Sequence, residues 1–148
     1  MKKYDPRSHT AEHILNQTMV RMFGKGRAFR AHIEKKKSKC DYKNFERNLT
    51  ESELREIERR VNEVISRNLE VNETFLSREA AEEKFNLERL PSDAGDKIRI
   101  ITVGDYDACP CIGEHVKNTS EIGTFEIVSS NFDEGILRIR FKILPHEN

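Results

Sequence analysis

The stretch Thr50-Glu51-Ser52-Glu53-Leu54-Arg55-Glu56-Ile57-Glu58-Arg59-Arg60-Val61-Asn62-Glu63-Val64-Ile65 decides how the rest of the chain is read. Thr50 is a good helix N-cap, and Glu53 three residues on completes a capping box. Leu54, Ile57, Val61, Val64 and Ile65 recur at spacings of three and four, which makes one buried stripe on an otherwise charged helix. Asn68 is placed to close it. On both sides the period changes to two. Upstream, Ala28 to Glu34 and Lys39 to Phe45 read as strands joined by the basic turn Lys35-Lys36-Lys37-Ser38. Downstream, Glu70 to Leu76 and Lys97 to Val103 read as strands. Thr124 to Ser130 and Ile136 to Leu144 read as a hairpin around residues 131–135. Ser8 to Phe23 has helical spacing, with Ile14, Leu15, Val20, Met22 and Phe23 as apolar face and Gly24 and Gly26 as stops. Ser77 caps a short helix to Lys84. Pro91, Asp93 and Gly95 mark a loop, and Gly104 to Ser120 reads as another. Strands and helices mix without strict βαβ alternation, which predicts an α+β fold, a largely antiparallel sheet packed against helices.

Composition sets the outer limits. The 148 residues hold 26 basic and 26 acidic side chains. The length suits a single domain over 1–148. The 35% of charged residues exceeds the roughly 25% of an average globular protein. Leu, Ile, Val and Phe still make up a quarter of the chain, enough for one thin core. No apolar run approaches the roughly 20 residues of a membrane span. MKKYDPRSHT has no secretory h-region, so a cytoplasmic location and no membrane partner are expected. Three cysteines exclude a disulfide scaffold. The zero net charge hides an asymmetry: residues 1–47 carry a net +8 and residues 48–148 a net −8. This predicts a positive face that could attract a polyanion, with Arg27, Arg30, Lys35, Lys36 and Lys37 as candidate phosphate contacts. The alternative is that these charges pair with the acidic part after folding.

Two residue pairs carry chemistry. In His9-Thr10-Ala11-Glu12-His13 the histidines are four apart, so a helix presents both imidazoles on one face. Cys111-Ile112-Gly113-Glu114-His115 is a C-x-x-x-H in the late loop. Nitrogen and sulfur donors from two segments suit tetrahedral zinc, and any four of positions 9, 13, 109, 111 and 115 complete such a set. His32 and His146 have no such spacing, and Cys40 reads as a small buried strand residue. Glu12, at i+3 from His9, could lie near the site or point to solvent, and the solvent-facing position is the one expected.

These motifs resemble the editing domain of alanyl-tRNA synthetase, its freestanding AlaX-type relatives and the editing domain of threonyl-tRNA synthetase. The similarity continues through Lys39-Cys-Asp-Tyr-Lys-Asn-Phe45, Leu49-Thr-Glu-Ser-Glu-Leu54, Ile57-Glu58, Val61-Asn62, Asn68-Leu-Glu-Val71, Ile122-Gly-Thr-Phe-Glu-Ile127 and Gly135-Ile-Leu-Arg-Ile-Arg140, in family order. The resemblance implies His9, His13, Cys111 and His115 around a Zn2+ ion, with hydrolysis of mischarged aminoacyl-tRNA in trans. It implies the tRNA acceptor end as partner, not DNA, and Ser- or Gly-tRNA(Ala) as the typical substrate. The alanyl enzymes usually read C-G-G-T-H here, so Ile112 and Glu114 depart from the pattern. Glu114 is a candidate for binding the substrate ammonium or orienting His115, against the reading that it points to solvent. His32 is a candidate for the pocket wall. The alternative function is a non-catalytic, zinc-stabilised module that binds RNA or protein.

Overall fold

The computed structural model describes residues 5–87, 90 and 95–145. The loop read around Pro91 and Asp93, and His146 in the tail, lie outside the described residues. The helices are α1 (Pro6–Phe23), α2 (Glu51–Ser66) and α3 (Arg78–Lys84). The strands are β1 (Arg30–His32), β2 (Ser38–Tyr42), β3 (Val71–Ser77), β4 (Lys97–Val103), β5 (Asp107–Pro110), β6 (Thr124–Asp133) and β7 (Ile136–Leu144). They form two antiparallel sheets, ordered β1-β2-β7-β6 and β3-β4-β5. The fold class is the α+β expected, but the sheet is split in two. No helix among the described residues is long and apolar enough to cross a membrane.

The capping box of α2 forms: Glu53 N–H donates to Thr50 Oγ1 at 3.1 Å, and Thr50 N–H donates to Glu53 Oε1 at 2.9 Å. Its apolar stripe is buried. The polar residues beside the stripe also have a task. Asn62 exchanges two hydrogen bonds with the backbone of Phe125, and Ile127 N–H donates to Glu58 Oε2 at 2.7 Å. Both contacts satisfy the outer edge of β6, which would otherwise offer bare donors and acceptors to another chain. At the far end Asn68 takes the left-handed conformation that closes a helix. Thr119 Oγ1 donates to the last carbonyls of α2.

Helix α1 begins two residues earlier than read, because Asp5 caps it and Pro6 suits the first turn. Gly24, at φ 67°, ends it. From Ser8 to Asn16 every residue is buried. The inner face of the four-stranded sheet (Cys40, Tyr42, Leu137, Ile139, Phe141) shares one core with Ala11, Ile14, Leu15 and Met19 of α1 and with the stripe of α2. A smaller cluster of Ala81, Ile98 and Ile100 packs on the other sheet.

The region read as one loop, 104–120, contains β5. Gly104, Asp105 and Tyr106 turn the chain back so that Asp107 pairs with Val103 and Cys109 with Ile101. Four residues are too few to display an alternating pattern, and glycine and proline at the ends read as loop punctuation. Helix α1 grips this hairpin through an i, i+4 ladder. Gln17 Nε2 donates to Asp107 at 2.9 Å, and Arg21 Nη2 donates to the Tyr106 carbonyl at 2.9 Å.

Candidate metal centre

Helix α1 fixes His9 and His13 on the face turned toward β5, and the chain leaving β5 brings Cys111 and His115 against them. One side-chain donor atom from each of His9, His13, Cys111 and His115 lies within 4.8 Å of all the others. Cys111 Sγ is 3.3 Å from His9 Nε2 and 3.4 Å from His115 Nε2. Ligand atoms on a tetrahedral zinc with bonds of about 2.0–2.3 Å sit about 3.3–3.7 Å apart, so this set of three imidazole nitrogens and one sulfur could hold such an ion. Cys109, the fifth candidate, stays outside the group. Burial, helped by the nearby Asp107 and opposed by Arg27, pushes its thiol up to about 12.

Two of the three imidazoles are held by a hydrogen bond at their other nitrogen. His9 Nδ1 faces the Glu114 carbonyl at 3.3 Å, an acceptor, so it carries the proton and leaves Nε2 free. Thr10 Oγ1 spends its own hydrogen on the Pro6 carbonyl at 2.8 Å. It can therefore only accept from His115 Nδ1, at 3.1 Å, and from the Val116 N–H at 3.2 Å. His13 Nδ1 lies 3.6 Å from Asp107 Oδ2 and has no hydrogen-bond partner among the described residues. This contact turns that edge of the ring toward the carboxylate. A backbone carbonyl and a carboxylate are partners that metal-binding histidines commonly use.

The electrostatics favour a thiolate. Burial pushes the Cys111 thiol up, but hydrogen bonds to His115, His13 and His9 bring it down to about 3. Burial also works against charge on His13, yet Asp107 and Cys111 raise it to about 9. Burial lowers His115 to about 4. Asp107 is held well below the usual carboxylate range despite burial, by His13 and Arg27.

Three further residues were not legible from spacing. Gly113 admits no side chain: a Cβ there would lie 2.2 Å from His9 Cε1. Arg99 Nη1 donates to the carbonyls of Gly113 at 2.7 Å and Cys111 at 3.2 Å, and so fastens the ligand loop to β4. Asp107 joins His13, Gln17 and Arg27. A carboxylate four residues before Cys111 was the only sequence signal for it.

Other expectations change. Glu12 does not face solvent. It is 2% exposed, accepts from Asn16 Nδ2 at 3.3 Å, and lies 3.8 Å from His9 Nε2. The physical reason is that α1 is enclosed on all sides at this level and has no solvent face there. Glu114 is exposed, and its backbone serves His9, not His115. His32 is bonded to Glu34 at 2.8 Å and is not brought into the cluster. Arg27 is committed to Asp107 through two hydrogen bonds, and Arg30 pairs with Asp41 at 2.7 Å. Lys35, Lys36 and Lys37 remain on the exposed turn.

Residues 98–140 match the family model of the threonyl and alanyl tRNA synthetase second additional domain. That span runs from β4 through the ligand loop into β7. The chain is 32% identical over 139 residues to an alanine–tRNA ligase of Methanococcus maripaludis strain C7, covering 91% of this chain and 16% of that protein. It is 33% identical over 135 residues to that of Pseudoalteromonas translucida, covering 90% and 15%. To that of Fervidobacterium nodosum it is 34% identical over 140 residues, covering 93% and 16%. The chain thus spans about a sixth of the length of the curated relatives it resembles. The fold, the paired His and Cys motifs and these similarities agree in likening the chain to the editing domain shared by alanyl- and threonyl-tRNA synthetases.

Proposed function

We propose that this domain hydrolyses the ester between a wrongly attached amino acid and the 3′ end of tRNA, acting in trans on tRNA already charged. The proposed substrate is of the Ser- or Gly-tRNA(Ala) type, since the relatives it resembles are alanine–tRNA ligases. The observation that carries the reading is the convergence of His9, His13, Cys111 and His115, with His9 and His115 held at Nδ1 so that their Nε2 atoms face Cys111 Sγ.

The proposed resident ion is Zn2+, held by those four side chains. When bound it would supply a Lewis acid that holds the substrate or polarises its ester carbonyl. The protein's own residues do the rest. The thiolate of Cys111 is a ligand without first having to lose a proton at neutral pH. Thr10, Asp107 and the Glu114 carbonyl keep the rings from turning. Glu12, a buried carboxylate beside His9, offers an acceptor for the α-ammonium of the aminoacyl group. A cytoplasmic setting would keep the thiols reduced.

A second reading has an observation of its own. Four protein donors make a closed set, the pattern of a structural metal. In that reading the domain binds RNA or protein without hydrolysis. The deciding experiment incubates the zinc-loaded protein with Ser-, Gly- and Ala-charged tRNA(Ala) and with Ser-charged tRNA(Thr), and measures released amino acid. Release from a mischarged tRNA, lost in Cys111→Ala/His115→Ala, supports the hydrolase. No release from any of them by protein that holds zinc replaces it with the binding module.

A further inference from the structure

The outer face of the four-stranded sheet carries two rows of side chains that differ in one respect. In the first, Arg30 of β1, Asp41 of β2 and Arg138 of β7 stand opposite one another. Asp41 is bonded to both arginines, at 2.7 Å each, so an acid separates the two cations. Two residues along, on the same face, the row is His32, Lys39 and Arg140. Here the central position is a lysine. Like charges directly opposite across strands destabilise a sheet, and strands lie only about 4.8 Å apart.

No described carboxylate neutralises the two fixed cations of this second row. Arg140 donates to Asn131 Oδ1 at 2.7 Å and Ser129 Oγ at 3.3 Å, both uncharged. Among the described residues, Lys37, Lys39 and Arg140 have no carboxylate within ion-pair distance. On α2 and at its C-cap, by contrast, Arg55, Arg59, Arg60 and Arg67 each pair with a glutamate. The row lines a cleft of about 240 Å³ together with Lys37 from the basic turn, Ser38 and Glu34. Glu34, the one acid in that lining, is bonded to His32.

We propose that this cleft binds the phosphodiester backbone of the tRNA acceptor stem, with Lys37, Lys39 and Arg140 on phosphates. The proposal rests on the tRNA reading above. A polyanion supplies the charge that the row lacks, and the sheet keeps the cations at fixed spacing without ordering cost to its backbone. It also reassigns the basic surface: Arg27 and Arg30 serve carboxylates of the fold, while Lys39 and Arg140, not singled out in the sequence, take over.

The test is the salt dependence of binding to uncharged tRNA(Ala) and to its acceptor-stem minihelix. Lys39→Gln/Arg140→Gln should reduce the slope of log affinity against log salt by about 1.4–1.8, the loss of two phosphate contacts at about 0.7–0.9 each. Lys39→Arg should retain the slope. Arg55→Gln/Arg59→Gln on α2, an equal change in charge, should leave it nearly unaltered. Zinc content and thermal melting establish that each variant is folded. An unchanged slope in the Lys39/Arg140 variant, or an equal fall in the α2 variant, overturns the proposal. If wild type hydrolyses no ester but shows the slope change, the hydrolase reading fails and the RNA cleft stands. If it hydrolyses mischarged tRNA with no slope change, the cleft fails alone.

Discussion

Gly113→Ala is the smallest change that should dismantle the metal centre. A Cβ at this position meets His9 Cε1 at 2.2 Å and Nδ1 at 2.5 Å. Carbon atoms pack at about 3.5–4.0 Å, so the ring or the loop must yield by more than about 1 Å. Neither is free to do so. His9 is 6% exposed and sits in the enclosed half of α1. The loop is held by Arg99 through the carbonyls of Gly113 and Cys111. If the ring yields, its Nδ1 leaves the Glu114 carbonyl and Nε2 leaves the cluster. If the loop yields, Cys111 moves instead. Metal–ligand distances tolerate only about 0.2 Å, so either route leaves three donors. Zinc affinity should fall by at least about 10–100-fold, the loss typical when a ligand's support is removed. The zinc-free variant should lose about 1–3 kcal/mol from overpacking. Competition of both proteins against a chromophoric chelator gives the affinity, and denaturant unfolding with excess chelator gives the stability. Wild-type zinc affinity in Gly113→Ala would refute the four-ligand assignment, because a group displaced this far cannot still be bonded to the ion.

Thr10→Val keeps the shape of the side chain and removes the oxygen that accepts from His115 and Val116. Zinc should bind about 10–100-fold more weakly while the fold melts cooperatively, and equal affinity would show that His115 needs no such support. Asp41→Asn tests the sheet face. Hydrogen bonds from Arg138 and Arg30 hold the Asp41 carboxyl below its ordinary 3.8. A lowered carboxyl stabilises the fold above its unfolded value and loses that contribution as pH falls through the folded one. The stability gap between wild type and Asp41→Asn, about 1–3 kcal/mol at pH 7, should therefore close as pH drops below about 4. A gap constant from pH 7 to pH 3, read by urea unfolding, would remove the ion pairs from the account.

The sequence alone determined what is local. The capping box and stripe of α2 were legible because a cap and a 3.6-residue period need only neighbours along the chain. The pair His9 and His13 was legible because an i, i+4 spacing on a helix fixes a shared face before any packing occurs, and Cys111 with His115 was legible as two metal-donor residue types close together in one loop. Tertiary structure decided the rest, since it depends on which segments meet. Strand β5 is too short to show a period, and it exists because β4 offers it a ladder. Glu12 looked like a surface acid, but α1 is enclosed by a sheet, a helix and the β5 hairpin, so its side chain had no water to reach. Asp107 and Thr10 stand about a hundred residues from the histidines they hold, and no spacing rule joins them. The unneutralised row on the sheet appears only once register sets Lys39 between His32 and Arg140, because charge counted along a chain does not say which charges end side by side.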